Sequence, residues 1–155
     1  MVNESYRGEH SKLGWTTEAH LLDGLRTTPQ EIIELIAKAG SFILLCYSHS
    51  ELVGSVLIEK RAETAYFGMF VVRPRLQAQG IGKRLLKAAE SEAKLDWQVS
   101  KAAMYVISVR YELLEFYVRR GYARTGLYKP FPVNPAMWQP KVDNLQLELL
   151  EKHLE

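Results

Sequence analysis

The segment with the clearest chemical potential is Gln77-Ala78-Gln79-Gly80-Ile81-Gly82-Lys83, placed between an apolar, strand-like run and an amphipathic, helix-like one. At such a junction the first backbone N–H groups of the helix have no partner within it and point outward, so the helix end attracts phosphate. Glycine at 80 and 82 lets the main chain approach an anion closely, and Lys83 and Arg84 add positive charge at the rim. This chemistry suits a pyrophosphate, although Gln77 to Gly82 also describes a plain strand-to-helix turn. Two better-known phosphate loops do not fit. Arg84 follows Lys83 where a Walker A loop needs Ser or Thr, and Leu85 stands where a dinucleotide-binding G-x-G-x-x-G needs its last glycine.

The elements that must position this loop follow from hydrophobic periodicity and punctuation. Ser5 to Thr28 is polar, with Asp23-Gly24 and Thr27-Thr28-Pro29 as turn signals, and predicts short helices or ordered loop. A helix starts at Pro29, capped by Thr28, carries Ile32, Ile33, Leu35, Ile36 and Ala39, and stops at Gly40. Phe42–Tyr47, the turn Ser48–Glu51 and Leu52–Lys60 predict a β-hairpin; a third strand, Ala65–Val72, ends at Arg73-Pro74. After the loop, Leu85, Leu86, Ala89 and Ala93 share one helical face, while Lys83, Lys87, Glu90 and Lys94 share the opposite one. Ala103–Val109 reads as a strand, Glu112–Arg120 as a helix closed by Gly121 at its C′ position, and Leu145–Leu150 as a last strand. A proline-rich loop, Lys129–Pro140, precedes that strand. The order argues for a mixed sheet flanked by helices, with the strand-helix-strand unit from Ala65 to Val109 at its centre.

Composition narrows the function classes. The chain has 155 residues, 47% hydrophobic and 25% charged, enough for one domain with a real core. A net charge of +2 with no long basic run argues against a nucleic-acid partner. Cys46 is the single cysteine, so no intrachain disulfide forms, and His10, His20, His49 and His153 have no metal-ligand spacing. No metal is expected. The N-terminus has no apolar signal core and no window reaches the apolar length of a membrane span, so the expectation is a cytoplasmic protein without a membrane partner.

Q-x-x-G-x-G (Gln77, Gly80, Gly82), directly after a strand ending Val-Val-Arg-Pro, resembles the GNAT superfamily of N-acetyltransferases. A second segment resembles it too: Glu112 to Tyr122, a helix bearing Tyr117 that ends at Gly121 plus an aromatic. Trp15-Thr16-Thr17-Glu18, Gly68–Pro74, and Thr125-Gly126 before Pro130-Phe131-Pro132 fall where such a domain has its substrate loops, central strand and late strands. The resemblance spans nearly the whole chain. One departure is Arg110, where the superfamily often has asparagine seven residues before the tyrosine. Another is the start: the usual first strand and helix are not legible, so either the beginning is truncated or it has diverged.

The resemblance implies the acyl-CoA N-acyltransferase fold over residues 1–155 as a single domain, with a mostly antiparallel mixed sheet whose first strand is missing. It implies an acetyl-CoA-dependent N-acetyltransferase in which a neutral amine of a small molecule or peptide attacks the thioester directly in a ternary complex. The main chain of Phe70, Val71 and Val72 would pair with the pantetheine arm. Gln77, Gln79, Gly80, Ile81, Gly82 and Lys83 would hold the pyrophosphate. Tyr117 is the implied general acid that protonates the departing CoA thiolate, set against the alternative of a core tyrosine sharing a face with Leu113 and Leu114. Glu18, Arg26, Arg110 and Glu112 are the candidates for the acceptor site, and Glu59, Glu63 and Glu112 for the base. The alternative function is a non-catalytic acyl-CoA sensor or interaction module. Tyr128, Phe131 and Trp138 in and beside the proline-rich loop form either a homodimer contact or a lid.

Overall fold

The computed structural model describes residues 1–155. Two short N-terminal pieces, helix α1 (Val2–Tyr6) and a 3-10 turn (Glu9–Leu13), precede strand β1 (Leu22–Gly24) and helix α2 (Pro29–Ala37). The Thr28 hydroxyl accepts the Glu31 N–H at 3.2 Å and Pro29 opens the first turn, so this start follows the sequence pattern. The apolar positions of α2 behave differently. No residue of the helix is buried, and Ile33 and Ile36 are 60% and 63% exposed.

Strands β2 (Ser41–Ser48), β3 (Glu51–Arg61) and β4 (Thr64–Val72) form an antiparallel meander. Helix α3 (Ile81–Trp97), strand β5 (Lys101–Ile107), helix α4 (Tyr111–Val118), strands β6 (Ala123–Pro130) and β7 (Trp138–Pro140), and strand β8 (Gln146–His153) complete the chain. The main sheet has the order β2-β3-β4-β5-β8-β6, and β1 pairs with β7 in a separate two-stranded sheet. Only β4 and β5 run parallel, joined by the α3 crossover. The expected gap at the start is therefore real in the main sheet. No strand lies outside β2, and the preceding residues cross to β7 instead.

Leu85, Leu86, Ala89 and Ala93 of α3 and Leu114 and Tyr117 of α4 are buried in one cluster with Val56, Ile58, Phe67, Met104 and Leu150 from the sheet. Full burial of a leucine such as Leu86 stabilises the fold by about 1.5–3 kcal/mol. No helix is long and apolar enough to cross a membrane.

Two local irregularities shape the centre. First, β4 and β5 pair only at Thr64–Lys101, Ala65–Ala102 and Tyr66–Ala103, after which they diverge. Second, β4 carries a bulge: Ser55 pairs with Val71 and Leu57 with Gly68, so Met69 and Phe70 stand opposite Val56 alone. Met69 takes φ +44°, an uncommon conformation for a residue with a side chain.

Candidate active site

The divergence of β4 from β5 opens a cleft of about 710 Å³. Its β4 wall is Tyr66 to Val72, and its mouth is the start of α3. There Gly80 occupies the N-cap position at φ +81°, with no side-chain cap on the helix, and the first helical bond is Arg84 N–H to Gly80 C=O at 3.1 Å. The N–H groups of the preceding turn are thus left without helical acceptors. A Cβ built on Gly80 meets nothing within 4 Å, and one on Gly82 stands 3.5 Å from the Phe116 ring. Both observations fit a loop that an anion can approach along bare backbone.

Gln77 works inward. Its amide donates to Val72 C=O at 3.1 Å, which ties the loop to the end of β4, and its Oε1 is buried without a partner. Gln77, Gly80, Gly82 and Lys83 line the cleft together with Phe70, Val71 and Val72. Gln79 and Ile81 do not line the cleft. Arg119 and Arg120 at the end of α4 add positive charge to the same mouth, with the Arg120 guanidinium 3.6 Å from the Phe116 ring centroid.

Because the bulge advances the strand by one residue, Phe70 faces α4. Its ring lies 6.2 Å from that of Tyr117 and 6.5 Å from that of Phe116. Tyr117 is held edge-on by Phe116 at 5.2 Å and Tyr122 at 5.9 Å, and is 4% exposed. It belongs to the core cluster and also lines the cleft. No group of the chain hydrogen-bonds its hydroxyl. Burial, reinforced by the neighbouring Tyr6 phenol, pushes its pKa far above the ordinary phenol value, so it keeps its proton at every physiological pH. The turn that ends α4 forms as expected, with Gly121 at φ +94° and Tyr122 N–H bonded to Tyr117 C=O at 3.2 Å.

At the other end of the cleft, Glu18 is 3% exposed and shared by two guanidinium groups, Arg7 at 2.6 Å and Arg110 at 3.4 Å. Arg110 also donates to Thr16 Oγ1 at 2.6 Å, and Thr16 in turn donates to Glu112 at 3.0 Å. Glu18, Arg26 and Arg110 line the cleft, whereas Glu112 does not. Among the base candidates only Glu59 reaches the lining. Burial pushes its carboxyl pKa up, but Lys38 at 2.6 Å and Arg61 at 3.3 Å more than offset this and hold it low, which makes it a poor base.

Sequence reasoning missed Tyr6. Its hydroxyl donates to Phe70 C=O at 3.1 Å, at the bulge itself, and its ring carries Arg26 at 5.4 Å. A tyrosine in a polar N-terminal stretch has no periodicity to mark it. Also missed was an aromatic floor: Tyr66 and Tyr105 stack at 6.3 Å, topped by Arg61 and Lys129. Phe131 and Trp138 pack on each other at 6.0 Å and both line the cleft, so the proline-rich loop supplies part of its wall.

A strand pair that splits beside an uncapped helix N-terminus, with glycines facing the gap, is the arrangement on which family comparison bears most directly. Residues 19–131 match the family model described as "Acetyltransferase (GNAT) domain". This chain belongs to the GNAT acetyltransferase family. It is an acetyl-CoA-dependent N-acyltransferase, with acetyl-CoA as its cosubstrate. No curated protein is detectably similar in sequence. Solved structures share the GNAT fold at low identity. A GNAT family acetyltransferase from Elizabethkingia anophelis with acetyl-CoA bound has 20% identity and a TM-score of 0.65, covering 82% of this chain and 84% of its own. The IAA acetyltransferase of Bacillus cereus has 16% identity and a TM-score of 0.61, with 86% and 98% covered. The ribosomal-protein-S18-alanine N-acetyltransferase of Escherichia coli has 12% identity and a TM-score of 0.63, with 86% and 93% covered.

Proposed function

We propose that this GNAT enzyme acetylates a primary amine by direct attack on acetyl-CoA bound in the β4–β5 split, with residues 1–155 acting as one domain. The observation that carries the reading is the split itself. Beyond Tyr66 the β5-facing edge of β4 has no strand partner; Phe70 C=O accepts from Tyr6 and Val72 C=O from Gln77, and the rest of the main chain from Phe70 to Val72 would pair with a pantetheine arm. The uncapped start of α3, where Gly80, Gly82 and Lys83 line the cleft, supports the N–H groups from Gln79 to Lys83 as the pyrophosphate's donors, with Lys83, Arg119 and Arg120 as countercharge.

The thioester supplies an activated acyl group. The protein's part is to hold the amine against it and to handle one proton. A bond forms between the amine nitrogen and the acyl carbon, the carbon–sulfur bond breaks, and the proton lost by the nitrogen ends on sulfur. Tyr117 is the donor toward sulfur. With its pKa raised by burial it is always protonated, but outright transfer to a thiolate, whose conjugate acid has a pKa of about 8.5, runs uphill. Its contribution is a hydrogen bond to the developing thiolate, with transfer completed as the amine's proton returns to the phenol.

The three carboxylates that line the cleft are all engaged: Glu18 by Arg7 and Arg110, Glu59 by Lys38 and Arg61, and Glu31 by the Thr27 hydroxyl. Loss of the extra proton of the ammonium form, before attack, is therefore assigned to water, assisted by the surplus of cations in the cleft, which lowers the amine's pKa. A cytoplasmic setting belongs to the same reading and rests on the single free Cys46. So does a homodimer, for which the uncharged edge strand β2 is the available surface.

The test is calorimetric titration with acetyl-CoA, followed by a turnover assay with an amine library on wild type and Tyr117→Phe. The expected result is unchanged acetyl-CoA affinity with kcat reduced by about 10²-fold or more. Tyr117→Phe with full activity would remove the phenol from the mechanism, and acetyl-CoA binding without turnover of any amine would favour a sensor.

A further inference from the structure

The cations of the cleft divide into two sets. Lys83, Arg119 and Arg120 surround the start of α3, where the pyrophosphate is placed. On the remaining wall five cations, Arg7, Arg26, Arg61, Arg110 and Lys129, face three carboxylates, Glu18, Glu31 and Glu59. The excess is two positive charges at the end of the cleft that receives the second substrate. We propose that the acceptor amine carries an anionic group, a carboxylate or a phosphate, which Arg26 grips; this rests on the reading of the cleft as a site of amine acetylation.

Of the five, Arg26 and Lys129 have no ion pair, and Arg26 alone of these two presents a planar fork, Lys129 lying over the Tyr105 ring at 3.7 Å. Arg7 is committed to Glu18 and to Leu25 C=O, Arg110 to Glu18 and Thr16, and Arg61 to Glu59. The Arg26 guanidinium forms no ion pair and donates no hydrogen bond within the chain. It is nonetheless ordered. Its backbone N–H donates to Asn3 Oδ1 at 2.7 Å, and its side chain lies over the Tyr6 ring, an arrangement that holds the planar fork in one orientation. An ordered fork with its donors free matches a carboxylate or phosphate in two-point geometry, which a point charge does not.

The surroundings point the same way. Arg110, 7% exposed, has a buried Nε without a hydrogen-bond partner; the nearest carboxylate oxygen, on Glu112, is 3.6 Å away. A buried donor left unsatisfied on the cleft wall is a cost to the free protein that an acceptor's oxygen would remove. The position also suits the chemistry. Tyr6, beneath Arg26, bonds Phe70 C=O, and Phe70 adjoins Tyr117, so the grip stands beside the reacting end rather than the phosphate loop. Burial raises the Tyr6 pKa, so this hydroxyl stays neutral and leaves the local positive charge undiminished.

The experiment compares matched amines: amino acids against their carboxamides, aminoalkyl phosphates against the corresponding amino alcohols, and glucosamine 6-phosphate against glucosamine. Each pair is tested for turnover with acetyl-CoA and, separately, for binding to the CoA-loaded protein by calorimetry. The anionic member of at least one pair is expected to be preferred tenfold or more, and the pair that shows it separates carboxylate from phosphate. Arg26→Gln should abolish the preference through a higher KM for the anionic member, with partial recovery in Arg26→Lys. A preference seen in binding without turnover would overturn the amine-acetylation reading and leave the anion grip standing. Neutral members accepted as well as anionic ones, or a preference that survives Arg26→Gln, would overturn the inference.

Discussion

Gly82→Ala separates a structural glycine from a functional one, because stability and cofactor binding should move in opposite directions. The residue lies in the first turn of α3 with ordinary helical backbone, and the added methyl would meet Phe116, Val72 and Phe70 at 3.5, 3.7 and 3.8 Å, all normal contact distances. Alanine in a helix interior is favoured over glycine by roughly 0.5–1 kcal/mol, and somewhat less so close to the N-terminus. For a chain of this length that is a rise in Tm of about 1–3 °C. The same residue, however, lines the cleft and carries one of the N–H groups assigned to the anion, so a methyl on it crowds that approach. Disturbing one hydrogen bond to a charged group costs about 1.5–3 kcal/mol, or roughly 10- to 100-fold in Kd. Differential scanning calorimetry reads the first quantity and isothermal titration with CoA the second. Gly80→Ala is the contrast. Its Cβ has open space, but φ +81° costs an L-residue roughly 1–2 kcal/mol, so its Tm should fall. A Gly82→Ala protein that melts higher yet binds CoA within threefold of wild type would refute the assignment of the phosphates to this loop.

Further outcomes follow from the charge network. Glu18→Gln leaves the buried Arg7 without a carboxylate partner and Arg110 with only Glu112 at 3.6 Å, and should cost about 3 kcal/mol or more, read from the urea midpoint; a loss under about 1 kcal/mol would mean water reaches them freely. Arg124→Ala strands Glu148, 1% exposed and held by two-point contact at 2.6–3.1 Å. Since Arg124 is itself 45% exposed, the expected cost is about 2 kcal/mol rather than the roughly 3–5 kcal/mol of a fully buried pair, again by urea unfolding. The carboxyl of Glu59 titrates below its unfolded value of 4.5, so its stabilisation is complete above that pH and is lost as pH falls through the lower folded value. Between about pH 5 and about pH 3 the wild type should therefore lose more stability than Glu59→Gln, and parallel curves would exclude the ion pairs as the cause.

What could be read from the residues was whatever left a periodic or punctuated mark. Thr28-Pro29 announced α2, the face of Leu85, Leu86, Ala89 and Ala93 announced α3, and Gly121 its turn after α4. Strand β6 left no such mark, since seven of its eight residues are exposed and Gly126 interrupts its pairing with β8, so its start could not be separated from the loop. The three-residue strands β1 and β7 are too short to show alternation. At the site, the glycine loop was legible because free backbone demands particular residue types. The Arg7–Glu18–Arg110 cluster and the Tyr6 contact with Phe70 were not, because their members are brought together across up to 92 positions of sequence by tertiary packing alone.

The bulge at Met69 makes β4 a strand read in two frames. Upstream of it, Ala65 and Phe67 point toward the helices; downstream, Phe70 adjoins Phe116 and Val72 lies near the Gly82 position. Deleting Met69 would remove the bulge, set Phe70 opposite Val56 and keep Phe67 and Phe70 on the same face, whereas straightening the strand with every residue retained would slip the register by one and turn Phe70 away from Tyr117. The bulge is thus the place in β4 where the loss of a single residue leaves the faces in step, while an indel elsewhere in the strand exchanges the faces of part of the cleft's wall.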